Sequence, residues 1–268
     1  MTELSIGILG AGGRMGRALV RAINDAEGCV LLGGVDADTH AGQGKDLGTL
    51  AGLEPAGIAL TTDTRALVEA ADVIIDFTVP AVIERHAALV AETGTSYVVG
   101  TTGLEAAQQQ AIEAAAETAA VIQAANFSLG VNLALALTRQ AAAALGEEFD
   151  IEIVEMHHRH KIDAPSGTAL ALGQAAADGR QVNLDQVADR GRDGITGARK
   201  RGDIGFAVLR GGNVAGDHSV VFAADDERIE ITHKAADRMI FARGAVQAAL
   251  WTSGRDPGLY SMQDILGF

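Results

Sequence analysis

The sequence has a single cysteine, Cys29, so no internal disulfide is available to it. That scarcity fits a reducing compartment, and Cys29, set in an apolar run, reads as a small core residue. Positive charge is also scarce: 21 Lys and Arg stand against 35 Asp and Glu, for a formal net charge of -14. Nucleic-acid backbones and anionic membranes would be repelled, so neither is expected as a principal partner, while a small anion at a local basic site remains compatible. No apolar run approaches the roughly 20 residues needed to span a bilayer. The start, Met1-Thr2-Glu3, carries no basic leader signature, and the expected location is the cytoplasm. Polar tracts and low-complexity blocks are missing too, leaving 48% hydrophobic and 21% charged residues in the proportions of an ordinary globular chain.

What is present, over 268 residues, is enough for two modest domains with separate cores. Leu4 to Leu9 reads as a short buried strand that runs straight into glycines. Met15, Leu19 and Ile23 then recur at helical spacing, with Gly28 as a stop. Further strands are expected at 30–35, 73–77, 97–99 and 121–124, with helices around Leu67, over 82–91 and over 104–119. Such alternation predicts a parallel sheet covered by helices on both faces.

After Asn126 the rhythm breaks. A helix over 131–145 leads to a strand over 151–157, and strands at 204–209, 219–222 and 229–232 follow, with a turn at Asp225-Asp226. Helical spacing returns over 238–251. The predicted fold is α/β, a Rossmann-like doubly wound parallel sheet plus a second α+β domain with an open mixed sheet. The first domain is expected to comprise residues 1–126 with 238–268, and the second 127–237.

Gly10-Ala11-Gly12-Gly13-Arg14-Met15-Gly16 lies between the first strand and its helix, where helix N-terminal amides can cradle a pyrophosphate. The glycine spacing departs by one residue from G-x-G-x-x-G, and position carries the reading more than spelling. Asp36, twenty residues after Gly16, closes the second strand where a carboxylate can accept from ribose hydroxyls. Against this stands the plain alternative of a tight turn and a solvated acid. A carboxylate there opposes a 2'-phosphate, and the next residue is the uncharged Ala37, so NADH is the expected cofactor in preference to NADPH, with Lys45 the only close cation in sequence. Gly100-Thr101-Thr102-Gly103 and Ala124-Ala125-Asn126-Phe127 follow two further strands and read equally well as ligand loops or as turns.

His157-His158-Arg159-His160-Lys161 is a cationic cluster in an acidic chain, and Asp163-Ala164-Pro165-Ser166-Gly167-Thr168 after it opens a helix. Basic side chains at a strand exit and amides at a helix start describe a pocket for a small dicarboxylate. Zinc ligation by the histidines is the rival reading, disfavoured by the interleaved Arg159 and Lys161 and by alternation along a strand. A solvated strand end is the blandest one. The second basic run, Arg190, Arg192, Arg199, Lys200 and Arg201, reads as a solvated loop or a subunit contact.

These segments, together with Asp76-Phe77-Thr78, Ala125-Asn126-Phe127-Ser128, Glu155-Met156-His157-His158-Arg159-His160-Lys161 and Ile231-Thr232-His233-Lys234-Ala235, resemble the 4-hydroxy-tetrahydrodipicolinate reductase family in order and spacing. The resemblance extends from about residue 4 to 265. It implies NAD(P)H-dependent reduction of a cyclic imine dicarboxylate on the way to lysine and diaminopimelate. It also implies that His157 is the catalytic histidine and Lys161 the proton donor, with His158, Ser166, Gly167 and Thr168 at the substrate. The cofactor contacts it implies fall on Gly10, Ala11, Gly12, Gly13, Arg14, Met15, Asp36, Gly100, Thr101, Thr102, Ala124, Ala125, Asn126 and Phe127, with no metal. Members are usually homotetramers assembled through the second domain's sheet. Many carry Arg beside the ribose acid, where this chain has Ala37. The competing readings are another two-domain dehydrogenase, which the first half alone would support, and a catalytically inactive NAD sensor, which would have little reason to keep His157, Lys161 and Ser166-Gly167-Thr168 together.

Overall fold

A computed structural model describes residues 3–268. The chain runs β1 (Leu4–Leu9), α1 (Arg14–Asn24), β2 (Cys29–Val35), α2 (Leu47–Ala51), β3 (Leu60–Thr61), α3 (Thr64–Ala70), β4 (Val73–Asp76), α4 (Pro80–Thr93), β5 (Ser96–Val99), α5 (Ala106–Ala115) and β6 (Ala120–Gln123). It continues through α6 (Leu129–Ala144), β7 (Asp150–His157), α7 (Gly167–Arg180), α8 (Leu184–Val187), β8 (Ala188–Asp189), β9 (Ile204–Arg210), β10 (Gly216–Ala223) and β11 (Arg228–Ala235). It ends with α9 (Met239–Trp251), β12 (Gly258–Tyr260) and α10 (Met262–Leu266). Contacts divide it into two units, one formed by residues up to Leu129 together with Met239–Phe268, the other by Gly130–Arg238.

In the first unit seven strands pair in the order β12-β6-β5-β4-β1-β2-β3, every pairing parallel. Their side chains alternate between two cores, as a sheet buried on both faces requires. Ile6, Ile8, Val73, Ile75, Val98 and Ile122 pack with α1 and α9 through Leu19, Ile23, Ala245 and Ala249. Ile74, Tyr97, Val99 and Val121 face α3, α4 and α5 through Val68, Ile83, Val90 and Ile112. Phe127 is buried in the first of these cores, and Leu129 packs against it. The strand order reverses between β1 and β4, and the crevice beyond their carboxyl ends is where such sheets bind ligands.

Two expectations shift at the margins. The helix foreseen over 104–119 is regular only over Ala106–Ala115, because a capping box at Glu105 and Gln108 sets its start and Ala116 ends it. β12, absent from the sequence reading, adds beside β6 as an edge strand of three residues, too short to show an alternating pattern.

The second unit is built on a five-stranded mixed sheet, β11-β10-β7-β9-β8. β10 is antiparallel to β7 and β11, whereas β9 lies parallel to β7 and to β8. β7 alternates strictly: Ile151, Ile153, Glu155 and His157 are buried, and the residues between them are half-buried. The buried side meets α7 through Ala169, Leu172 and Ala176. In the basic run, Arg192 and Arg199 are tied down by Glu152 at 2.7 and 2.8 Å, and Arg199 also by Asp150 at 2.7 Å.

Candidate functional site

The glycine loop leaves β1 at Gly10, whose φ of +80° is a left-handed conformation that glycine adopts without strain. The amides of Gly10 and Ala11 donate to the carbonyl of Val35 at 2.9 and 3.0 Å, locking the loop to the end of β2. Gly12 donates to Asp36 Oδ2 at 2.9 Å, and Ala37 to Asp36 Oδ1 at 2.8 Å. Gly16 permits close helix-to-loop packing: a Cβ there would stand 2.2 Å from the Gly10 carbonyl oxygen. α1 starts at Arg14 with Gly13 as N-cap, no side-chain cap and no acid in its first turn. Ala11 is buried in the core, and Met15, half-buried, packs against it.

A cavity of about 670 Å³ opens here, lined by Gly10, Gly13, Asp36, Ala37, Thr78 and Arg85 among others. Its size, its glycine-lined floor and its helix N-terminus fit the adenosine and pyrophosphate portion of a dinucleotide. Arg85, on α4, was not foreseen: eight residues of helix and turn separate it from β4, and nothing in the sequence joins it to Asp36. Lys45, the one close cation in sequence that could favour NADPH, is not among the lining residues.

The other proposed cofactor segments gather at the ends of β4, β5 and β6. The Phe77 and Phe127 rings lie 5.5 Å apart, and Gly100 lies against Phe77 so closely that a Cβ would come within 2.3 Å of the ring. Thr101 is buried and Thr102 after it is exposed, while Ala124 donates to the Val99 carbonyl at 3.2 Å and Asn126 Oδ1 accepts from Ser128 at 2.9 Å.

Beneath them Asp76 is fully buried. Its Oδ1 accepts from the amide and hydroxyl of Thr78 at 2.9 and 2.5 Å, and its Oδ2 from Tyr97 at 2.7 Å and His86 Nδ1 at 2.8 Å. Burial pushes this carboxyl up, but its His86, Thr78 and Tyr97 partners outweigh that and hold it below the usual range. Tyr97 is pushed well up by burial and by the Asp76 charge.

In the second unit His157 ends β7 and is buried, with Nδ1 2.5 Å from Glu155 Oε2. The edge of the His218 ring stands against it, with centroids 5.0 Å apart. His158 follows, its amide bonded to the Val214 carbonyl at 2.8 Å and its ring 6.2 Å from that of His160. Burial, then the charge of Arg238, pushes His158 below the ordinary imidazole value. Lys161 Nζ pairs with Asp163 Oδ2 at 2.9 Å. Ser166 caps α7, its Oγ accepting from Ala169 at 3.2 Å and touching His218 Nε2 at 3.0 Å. Gly167 and Thr168 form the helix's first turn, and a Cβ at Gly167 would meet nothing, so the helix start is open there. Burial, reinforced by the neighbouring His157, pushes His218 down to about 4.

One strand end, one loop and one helix start thus bring His157, Lys161, Ser166, Gly167 and Thr168 into one neighbourhood, a cationic niche suited to a small acid. No group of three or more His, Cys, Asp or Glu side chains among the described residues is placed to hold a metal ion. Sequence reasoning passed over Glu155, although its carboxylate interrupts an apolar face in step with His157; Arg210 and His218 gave no such signal.

Comparison with known proteins agrees with both halves. The family model described as dihydrodipicolinate reductase, N-terminus, matches residues 4–127, and its C-terminal counterpart matches residues 130–266. Curated proteins named 4-hydroxy-tetrahydrodipicolinate reductase are 58% identical in Parvibaculum lavamentivorans, over 99% of this chain and 98% of theirs, and 57% identical in Afipia carboxidovorans, over 100% and 98%. Among solved structures, the dipicolinate-bound dihydrodipicolinate reductase of Paenisporosarcina sp. TG-14 has the same fold, with a TM-score of 0.78 at 24% identity over 97% of this chain and 98% of that one. With both family models matched and relatives this similar along its full length, the chain belongs to the dihydrodipicolinate reductase family.

Proposed function

We propose that the chain reduces 4-hydroxy-tetrahydrodipicolinate to tetrahydrodipicolinate at the expense of a reduced nicotinamide dinucleotide, a step of lysine and diaminopimelate biosynthesis. The carrying observation is the buried His157 set beside Lys161 and the start of α7, in a chain whose relatives bear that reductase's name from end to end. In balance, a hydride and a proton enter the ring and water leaves. The bound nicotinamide supplies the hydride. The residues for holding the dinucleotide are Gly10 to Met15, Asp36, Gly100 to Thr102 and Ala124 to Phe127. In the second unit Gly167 and Thr168, at the start of α7 that Ser166 caps, take a substrate carboxylate, with His158 as a further substrate contact; Lys161 gives the proton and its charge offsets the electron density that the hydride brings, and the imidazole of His157 meets the ring beside it.

NADH is the proposed preference, supported by Asp36 and Asp38 lining the cavity with the uncharged Ala37 between them. Arg85 is the counterweight that leaves some use of NADPH. A homotetramer is the proposed assembly. Supporting it, the face of the second sheet turned away from α7 carries Val154, Met156 and Val221, half-buried, and Leu209, half exposed. A cytoplasmic site of action belongs to the same reading, in keeping with a lone, buried Cys29.

The test is oxidation of NADH or NADPH, followed at 340 nm, with substrate generated freshly from aspartate semialdehyde and pyruvate. Turnover with NADH ahead of NADPH is expected; no turnover with either cofactor would overturn the assignment.

A further inference from the structure

We infer that Glu155 is a positioning residue for this reduction: its carboxylate fixes the ring of His157 with the proton on Nδ1 and ties that ring to the Lys161 loop and the start of α7. The inference rests on the reading of His157 and Lys161 given above.

Glu155 is 1% exposed, and an acid so buried persists only when its oxygens are matched by donors. Four converge on it. Arg210 reaches it with both terminal nitrogens, Nη1 to Oε2 at 2.8 Å and Nη2 to Oε1 at 2.9 Å. The Ser166 amide donates to Oε1 at 3.0 Å, and His157 Nδ1 stands 2.5 Å from Oε2. Burial pushes this carboxyl up, but the guanidinium, the imidazole and the amide together hold it below its usual range. An ionised carboxylate only accepts hydrogen bonds, so the proton of this contact lies on His157 Nδ1. Nε2 is then the nitrogen left to meet the substrate.

The same carboxylate reaches the other two segments. Arg210 Nη2 also donates to the Asp163 carbonyl at 2.6 Å, and Asp163 holds Lys161 at 2.9 Å. Ser166, gripped through its amide, caps α7 with its hydroxyl oxygen and meets His218 Nε2 through the same hydroxyl. His157, Lys161 and the helix start, which approach the substrate from three pieces of backbone, are therefore held from one buried point. For stability alone an apolar pair would serve as well as this ion pair. Registering three reactive segments within tenths of an ångström needs the directed bonds.

Nitrogen-15 NMR of histidine-labelled full-length protein reads the His157 tautomer, with the signals assigned by their loss in His157→Gln. The wild type should show the neutral ring protonated on Nδ1. In Glu155→Gln the ring should populate the other tautomer, and kcat should fall by at least about 10²-fold while KM for NADH stays within about twofold. Wild-type protein with His157 protonated on Nε2 overturns the inference, with no variant needed. So does Glu155→Gln with wild-type kcat, or with lowered kcat and an unchanged tautomer. Absence of wild-type turnover overturns the assigned reaction itself, whereas turnover with an Nε2-protonated ring overturns the positioning role alone.

Discussion

The amide of Gly12 donates to the carboxylate of Asp36 across 2.9 Å, joining the glycine loop to the end of β2. The acid shapes the loop, and in the proposed reading it also sets a negative charge where a 2'-phosphate would lie. Asn at this position can still accept from Gly12 without the charge. Asp36→Asn is expected to shift the ratio of kcat/KM for NADH over NADPH toward NADPH by about tenfold, equivalent to ~1.4 kcal/mol. Initial rates with each cofactor check it, and an unchanged ratio would remove Asp36 as the selector.

Arg85 gives the complementary prediction. It is exposed on α4 and lines the same cavity. A guanidinium there compensates a phosphate but does little for a ribose hydroxyl. Arg85→Ala should lower kcat/KM for NADPH by roughly 3- to 10-fold, about one surface charge contact, and leave NADH within about twofold. Steeper salt dependence with NADPH than with NADH in the wild type is the matching signature.

The contrast between these two residues shows what the sequence could disclose. The place of Asp36 beside the glycine loop was legible because a parallel strand, a glycine loop and a helix recur in fixed order, and the topology of such a unit brings the end of its second strand to that loop. Arg85 reaches the cavity through tertiary packing, with α4 laid against the sheet beyond β4, and no local spacing encodes that. The second unit repeats the lesson. His157, Lys161 and Ser166-Gly167-Thr168 stand within twelve residues of chain and announce themselves as a cluster. Arg210, their organiser through Glu155, arrives from β9, whose parallel pairing with β7 matches His157 to Arg210 in register. The pairing partners of short strands are set by the sheet as a whole, so sequence alone gave the strands but not who faces whom.

Acid should weaken the chain through two buried carboxyls, Asp76 and Glu155. Both are held below the ordinary carboxyl range in the folded chain, so the unfolded chain takes up protons first as pH falls. Their contribution is complete above the unfolded values near pH 4 and is lost progressively as pH drops from there through the lower folded values. Asp76→Asn should cost about 3–5 kcal/mol at pH 7, since it leaves His86 and Tyr97 without their charged partner. The gap between wild-type and variant melting temperatures should narrow from pH 7 to pH 3. A constant gap would mean that Asp76 is not ionised in the folded chain.

Lys161 supplies the most direct test of the chemistry. Its side chain is 20% exposed and pairs with Asp163 on its own loop. Removing it leaves the dinucleotide cavity untouched, because every residue lining that cavity belongs to the first unit. Lys161→Ala is therefore expected to lower kcat by roughly 10²- to 10⁴-fold, the range for loss of a positioned proton donor. The dissociation constant for NADH, read by quenching of protein fluorescence, should stay within about twofold. The single tryptophan, Trp251, packs on Tyr260 in the first unit and gives that signal a defined origin. Loss of NADH affinity in step with kcat would point to damage beyond the proton donor. Wild-type turnover in the variant would show that the proton reaches the ring by another route.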